Sequence, residues 1–125
     1  MINLIVGKRS LLSNNLHVNL KNSKIISTNE FIDLKLKNKS NIIINTFYPS
    51  FKISKILSYE NFFYESIIKI SKALDKVDKN KINKIIYTSS SSVYGFGENI
   101  NQFDSGNRKL YSISKLAAEN LIINF

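Results

Sequence analysis

Four consecutive serines, Ser89, Ser90, Ser91 and Ser92, end the apolar run Ile85-Ile86-Tyr87, and Tyr111 and Lys115 follow four residues apart. A hydroxyl can fix a substrate oxygen. A phenol gives or takes a proton once its pKa nears the working pH, and a neighbouring ammonium stabilises its anion. Positions i and i+4 of a helix lie one above the other on one face. The phenol and the ammonium therefore act together only if the segment that starts near Arg108 is helical, and a strand end must deliver a serine to them. The chemistry in prospect is proton transfer at a hydroxyl or a carbonyl.

A tyrosine followed by a lysine four residues later is weak evidence alone. With 6 tyrosines and a lysine-rich composition, chance supplies about one such pair. A decoy exists at Tyr48 and Lys52, but Pro49 between them argues against a continuous helix there. Joined to the serine cluster upstream, the Tyr111–Lys115 pair is a specific signal.

Taken together, Tyr87-Thr88-Ser89-Ser90-Ser91-Ser92-Val93-Tyr94-Gly95 and Tyr111-Ser112-Ile113-Ser114-Lys115 with Glu119 resemble the short-chain dehydrogenase/reductase superfamily. The likeness is to its extended branch of nucleotide-sugar epimerases, dehydratases and reductases. That branch carries (F/Y)-x-S-S-x-x-V-Y-G at a strand end and Y-x-x-x-K-x-x-x-E on the next helix. Aligned on Val93, the resemblance places the catalytic serine on Ser90, the proton-transferring tyrosine on Tyr111 and the nicotinamide-ribose lysine on Lys115. Bringing a phenol from about pH 10 to neutrality takes about 3 pKa units, or about 4 kcal/mol. Lys115 and the positive end of a bound nicotinamide are the expected sources.

The resemblance also interprets the N-terminus. Residues 2–6 form an apolar run, Gly7-Lys8-Arg9-Ser10 a turn, and Leu11, Leu12 and Leu16 a helical pattern, which is the opening of a dinucleotide-binding unit. Gly7, Ser10 and Ser13 stand where the branch has G-x-x-G-x-x-G, so two of the three glycines are serine. The hydroxyls of Ser10 and Ser13 can themselves bond a phosphate, and Lys8 and Arg9 beside a helix N-terminus favour an anion. Asn45, at the end of the run 41–45, falls on a strand end that lines the cofactor in the family; Phe47 there departs from the family's small residue. The cofactor expected is NAD or NADP. No acidic residue ends the second strand, where Ser27, Thr28 and Asn29 precede Glu30, so the two forms are not separated, with Lys8 and Arg9 tilting toward the phosphorylated one.

The remaining elements are read from periodicity. A second strand is expected at 24–27 and a helix at 29–37 with Phe31, Ile32 and Leu34 inward. A third strand should occupy 41–45, and a helix 58–76 with Phe62, Ile67, Ile70 and Leu74 on one face. A charged loop should follow at 75–84. The fold expected is α/β: a three-layer Rossmann-like fold with a short parallel sheet of about four strands. In family labels the spatial order is 2-1-4-5. The chain reads as one NAD(P)-binding domain over 1–125, shortened, with no separate substrate domain. It corresponds to the N-terminal half or less of the family, before the region that binds the nucleotide-sugar.

Composition narrows the alternatives. The chain has no cysteine, which removes disulfides and thiolate metal sites and suits a reducing cytoplasm. Its one histidine, His17, reads as a helix-surface residue, and no metal site is expected. No apolar stretch is long enough to span a membrane, and the N-terminus lacks a signal-peptide cleavage pattern. The net charge of +9 comes from lysines spread along the chain, with only two arginines, Arg9 and Arg108; specific nucleic-acid recognition is not expected. The partners expected are a nucleotide-sugar or another small molecule. A homodimer is compatible with the reading, although sequence does not fix the oligomeric state. Two competing readings are a non-catalytic Rossmann-like remnant that binds a nucleotide or a partner chain, and a basic nucleic-acid binder.

Overall fold

The structure is a computed structural model that describes residues 1–45, 58–90, 93 and 106–125. In chain order the elements are β1 (Ile2–Val6), α1 (Leu11–Asn19), β2 (Ser23–Ile26), α2 (Thr28–Ile32) and β3 (Ser40–Ile44). Then follow α3 (Tyr59–Phe63), a π-helical turn (Tyr64–Ile68), α4 (Lys69–Lys76), a 3-10 turn (Lys79–Lys81), β4 (Ile82–Tyr87) and α5 (Gly106–Ile123). The four strands form an all-parallel sheet in the order β2-β1-β3-β4, which is the expected arrangement in this chain's own numbering.

Register divides the side chains between two faces. Val6 is level with Ile26 and Ile44, and Ile44 with Tyr87; Leu4 is level with Ile42, and Ile42 with Ile85. These residues build the main core with Phe31, Ile70, Ala73, Leu74 and Ala118 from the covering helices and Leu36 and Val77 from the segments that follow α2 and α4. Ile5, Ile25, Ile43 and Ile86 point the other way. Ile5 and Ile43 are buried, whereas Ile86 stays 46% exposed. Runs of isoleucine suit strands covered on both faces, and each fully buried side chain contributes about 1.5–3 kcal/mol.

A polar row crosses the second face near the start of the strands. Asn83 donates through Nδ2 to Asn41 Oδ1 at 2.8 Å, Asn41 donates to Asn3 Oδ1 at 2.8 Å, and Asn3 donates to the Lys21 carbonyl at 3.1 Å. Asn83 reaches its partner because the β3–β4 register shifts beside it: Ser40 pairs with Ile82, but Asn41 pairs with Lys84.

Several expectations are corrected. The helix expected over 29–37 stops at Ile32. Leu34 and Leu36 turn inward while Lys35 and Lys37 are exposed, an alternation of two that belongs to extended chain. The start of α2 is fixed by a capping box. Glu30 N–H donates to Ser27 Oγ at 3.1 Å, and Ser27 N–H donates to Glu30 Oε2 at 2.6 Å. In α1, Leu11 and Leu12 are 78% and 44% exposed, and Ser13 takes the fully buried position. The helix expected over 58–76 is present and is capped by Ser58, but its middle turn widens to π. There the Ser66 hydroxyl donates to the Phe62 carbonyl at 2.5 Å. Phe62, Ser66, Ile70 and Leu74 recur every four residues and are buried; a widened turn keeps that spacing on one face. The charged stretch 75–84 is largely structured: it holds the end of α4, the 3-10 turn capped by Asp78, and the start of β4. His17 is exposed as expected and lies 2.8 Å from Ser23 Oγ through its Nδ1.

Among the described residues no helix is long and apolar enough to cross a membrane, and no cluster of metal-ligating side chains occurs. The decoy pair Tyr48 and Lys52, the Phe47 departure, and Ser91, Ser92, Tyr94 and Gly95 lie outside the described residues.

Candidate active site

The strands are parallel, so the turn after β1 and the ends of β3 and β4 meet at one edge of the sheet, the edge where α/β folds bind ligands. Gly7 opens the first turn at φ 131°, a left-handed value that a Cβ disfavours. Its N–H donates to the Ile26 carbonyl at 3.0 Å, and its carbonyl accepts from Ser10 N–H at 3.1 Å. Ser10 caps α1, accepting from Ser13 N–H at 3.4 Å. Lys8 and Arg9 are exposed on the turn.

Asn45 is the centre of the edge. Its side-chain N–H₂ donates to Ser10 Oγ at 2.5 Å and to Ser13 Oγ at 2.9 Å. Its Oδ1 accepts from Thr88 Oγ1 at 3.1 Å, and its backbone carbonyl accepts from the same hydroxyl. Its own N–H donates to the Val6 carbonyl at 3.0 Å, while Thr88 N–H donates to the Ile44 carbonyl at 3.0 Å. Ser13 is fully buried. The expectation that both serine hydroxyls meet a phosphate is therefore refined: Ser13 faces Asn45. At Ser10 two acceptor positions are in use, which leaves its proton to offer.

The helical pair arrives from the other side. Lys115 Nζ donates to the Thr88 carbonyl at 3.2 Å, which seats α5 against the strand end that carries Ser90. The same ammonium lies 4.9 Å from the centre of the Tyr87 ring and 5.7 Å from that of Tyr111. Tyr111 and Lys115 thus share one face of α5, as their spacing predicts. Ser90 is half-buried just past β4, and its carbonyl accepts from Val93 N–H at 3.1 Å. Ser114, whose hydroxyl donates to the Tyr111 carbonyl at 2.7 Å, and Ala118 are the small buried residues that let α5 approach the π-helical turn and α4 closely.

Burial dominates the electrostatics at Tyr111. Burial pushes its phenol above the usual tyrosine value. Burial lowers Lys115 to about 8, with Glu119 pulling the other way. Tyr87 is also raised, first by burial and then by Tyr111 and Glu119. Desolvation outweighs attraction here because the ammonium is turned to the Thr88 carbonyl and is itself in a dry site. Without a ligand the phenol is held protonated.

Thr88 is the functional candidate that sequence reasoning passed over. Its signal was position: it is the one residue between the β4 tyrosine and the serine cluster. A separate groove of about 610 Å³ runs between α4 and α5, lined by Ile67, Leu74, Leu121 and Phe125 among others. It shares no residue with the Asn45 network.

An all-parallel sheet with a glycine turn, a capped helix N-terminus and a tyrosine–lysine pair at the same edge defines a Rossmann-like nucleotide-binding domain. A model of the family described as NAD dependent epimerase/dehydratase matches residues 4–125, and the chain belongs to that family. No match to the chain was found among curated proteins or among solved structures. The family implies a nicotinamide cofactor, and the residues fit one. The left-handed Gly7 leaves room beside the turn, the α1 N-terminus offers N–H groups, and Ser13 fits inside because Asn45 takes up its hydroxyl.

Proposed function

We propose that this chain is the NAD(P)-binding part of an epimerase, dehydratase or reductase that acts on a nucleotide-sugar in the cytoplasm. The observation that carries this is the Lys115–Thr88 bond, which brings the Tyr111–Lys115 face of α5 to the strand end bearing Ser90. Gly7, Ser10, Lys8, Arg9 and the α1 N-terminus would hold the pyrophosphate, and Lys115 the nicotinamide ribose; Asn45 and Ser13 would stand behind the turn. A bound nicotinamide supplies or accepts the hydride. Ser90 would hold the substrate oxygen in line. Tyr111, kept protonated by burial, is set to give a proton to a developing alkoxide. To take one up, it relies on the nearby Lys115 ammonium.

The phosphorylated cofactor is the better fit. The carboxylate nearest the end of β2, Glu30, is tied into the Ser27 capping box. Those bonds hold its carboxyl below the usual carboxylate range, with the positive charges of Lys8 and Lys24 adding to the effect. A ribose diol would have to share this carboxylate with Ser27, while a 2′-phosphate meets cations.

Calorimetric titration with NAD(H) and NADP(H) is the test. NADPH is expected to bind tighter than NADH by about tenfold, equivalent to about 1.4 kcal/mol. Binding of neither at millimolar concentration favours the second reading, a non-catalytic remnant. That reading draws on the two serines in the turn and their internal use by Asn45. Turnover is tested in the chain joined to a nucleotide-sugar-binding region of the family, where Tyr111→Phe is expected to lower the rate by about 10²- to 10⁴-fold.

A further inference from the structure

We infer that Asn45 is a positioning residue: through Thr88 it sets where the Lys115 ammonium sits, and the serines at 10 and 13 serve to hold its amide. The inference rests on the Tyr111–Lys115 site proposed above, but its main readout, the Lys115 titration, needs no cofactor.

Asn45 is 7% exposed, and each of its polar groups has a partner. Both side-chain N–H bonds end on serine hydroxyls, its Oδ1 and its carbonyl accept from Thr88, and its N–H donates to Val6. One residue thereby joins the end of β1, the turn that begins α1 and the residue after β4. The Thr88 carbonyl, which points to Lys115 Nζ, is held from two sides, by its own N–H on Ile44 and its hydroxyl on Asn45. Lys115 is itself 7% exposed. A buried ammonium with a carbonyl and two ring faces around it sits where the carbonyl puts it.

This gives the serines a reason other than phosphate. Glycine at 10 and 13 would remove both acceptors of the Asn45 N–H₂ group in a place water reaches poorly, which leaves the group unsatisfied. In this chain serine and asparagine belong together, and restoring the glycines alone should loosen the site.

The experiment follows Lys115 in protein labelled at lysine Cε, by NMR titration with pH. The starting midpoint is about 8. Thr88→Val keeps the backbone carbonyl and the branched shape but removes the hydroxyl. In Thr88→Val, in Asn45→Ala and in the double variant Ser10→Gly/Ser13→Gly, the ammonium gains solvent. Its midpoint is expected to rise by about one pH unit or more toward the free lysine value. Thr88→Ser restores the hydroxyl and is expected to leave the midpoint in place. The Lys69 signal, in the Glu65 ion pair, reports whether each variant keeps its fold. An unmoved Lys115 midpoint in folded Thr88→Val overturns the proposal, and so does an equal shift in Thr88→Ser. If Asn45→Ala does not fold, Thr88→Val decides alone. Tighter dinucleotide binding by the double glycine variant, with Lys115 unchanged, overturns the role given to the serines. A shifted Lys115 in a protein that binds no dinucleotide sinks the proposed cofactor function and leaves the positioning link standing.

Discussion

Burial of the Lys115 ammonium works against folding at neutral pH. Its folded pKa of about 8 lies below that of a free lysine, so between about pH 8 and 10.4 the unfolded chain binds more protons than the folded one. Stability from this group therefore rises with pH across that window, and the penalty is complete below it. Lys115→Met keeps the length of the side chain without the charge. At pH 7 it is expected to stabilise the protein by about 1–3 kcal/mol, and urea unfolding should show the gain vanishing by about pH 10.4. Destabilisation at pH 7 would mean that the bond to Thr88 and the ring contacts outweigh the desolvation. Tyr111 tells the complementary story: its phenol should stay protonated beyond the ordinary tyrosine range, which ultraviolet difference titration can follow.

The elements that carry the site differ in how openly the sequence announces them. β1 and β3 were legible because buried strands leave a local signature, an apolar run. The Tyr111–Lys115 face was legible for the same reason, since helical spacing alone puts the pair together. The early end of α2 was missed although Leu34 and Leu36 alternate with lysines, because Phe31, Ile32 and Leu34 also fit a helix. The inward turn of Ser13 depends on a partner distant in sequence, Asn45, and no local pattern reports it. At Tyr111 the charge four residues away is visible in sequence, whereas the burial that raises its phenol is not. The β1–α1 turn yields the prediction at this scale. Gly7 stands at φ 131°, so Gly7→Ala should cost about 1–3 kcal/mol and displace the α1 N-terminus, read by the melting temperature and the Ser10 and Asn45 amide shifts. An unchanged melting temperature would show that the turn tolerates a Cβ.

At the scale of the whole molecule the net charge of +9 comes from lysines spread along the chain. Any affinity for random duplex DNA should be phosphate-driven and fall steeply from low to physiological salt in an anisotropy titration; tight, sequence-selective binding at physiological salt would refute this. A larger problem for the molecule is that its strands are nearly interchangeable. Ile42-Ile43-Ile44, Ile25-Ile26 and Ile85-Ile86 present the same side chain to both faces. If a strand slid by one residue, oil would still meet oil, and burial would hardly notice the error. The row Asn83, Asn41, Asn3 is where such an error would show. Its amides all donate in one direction, toward the Lys21 carbonyl, so a one-residue slip of β3 replaces Asn41 by Ser40 or Ile42 and breaks the succession. The row works as a checksum on an otherwise repetitive text. Asn41→Val should thus leave a sheet that still forms but is read in more than one frame, visible as doubled backbone resonances in β3.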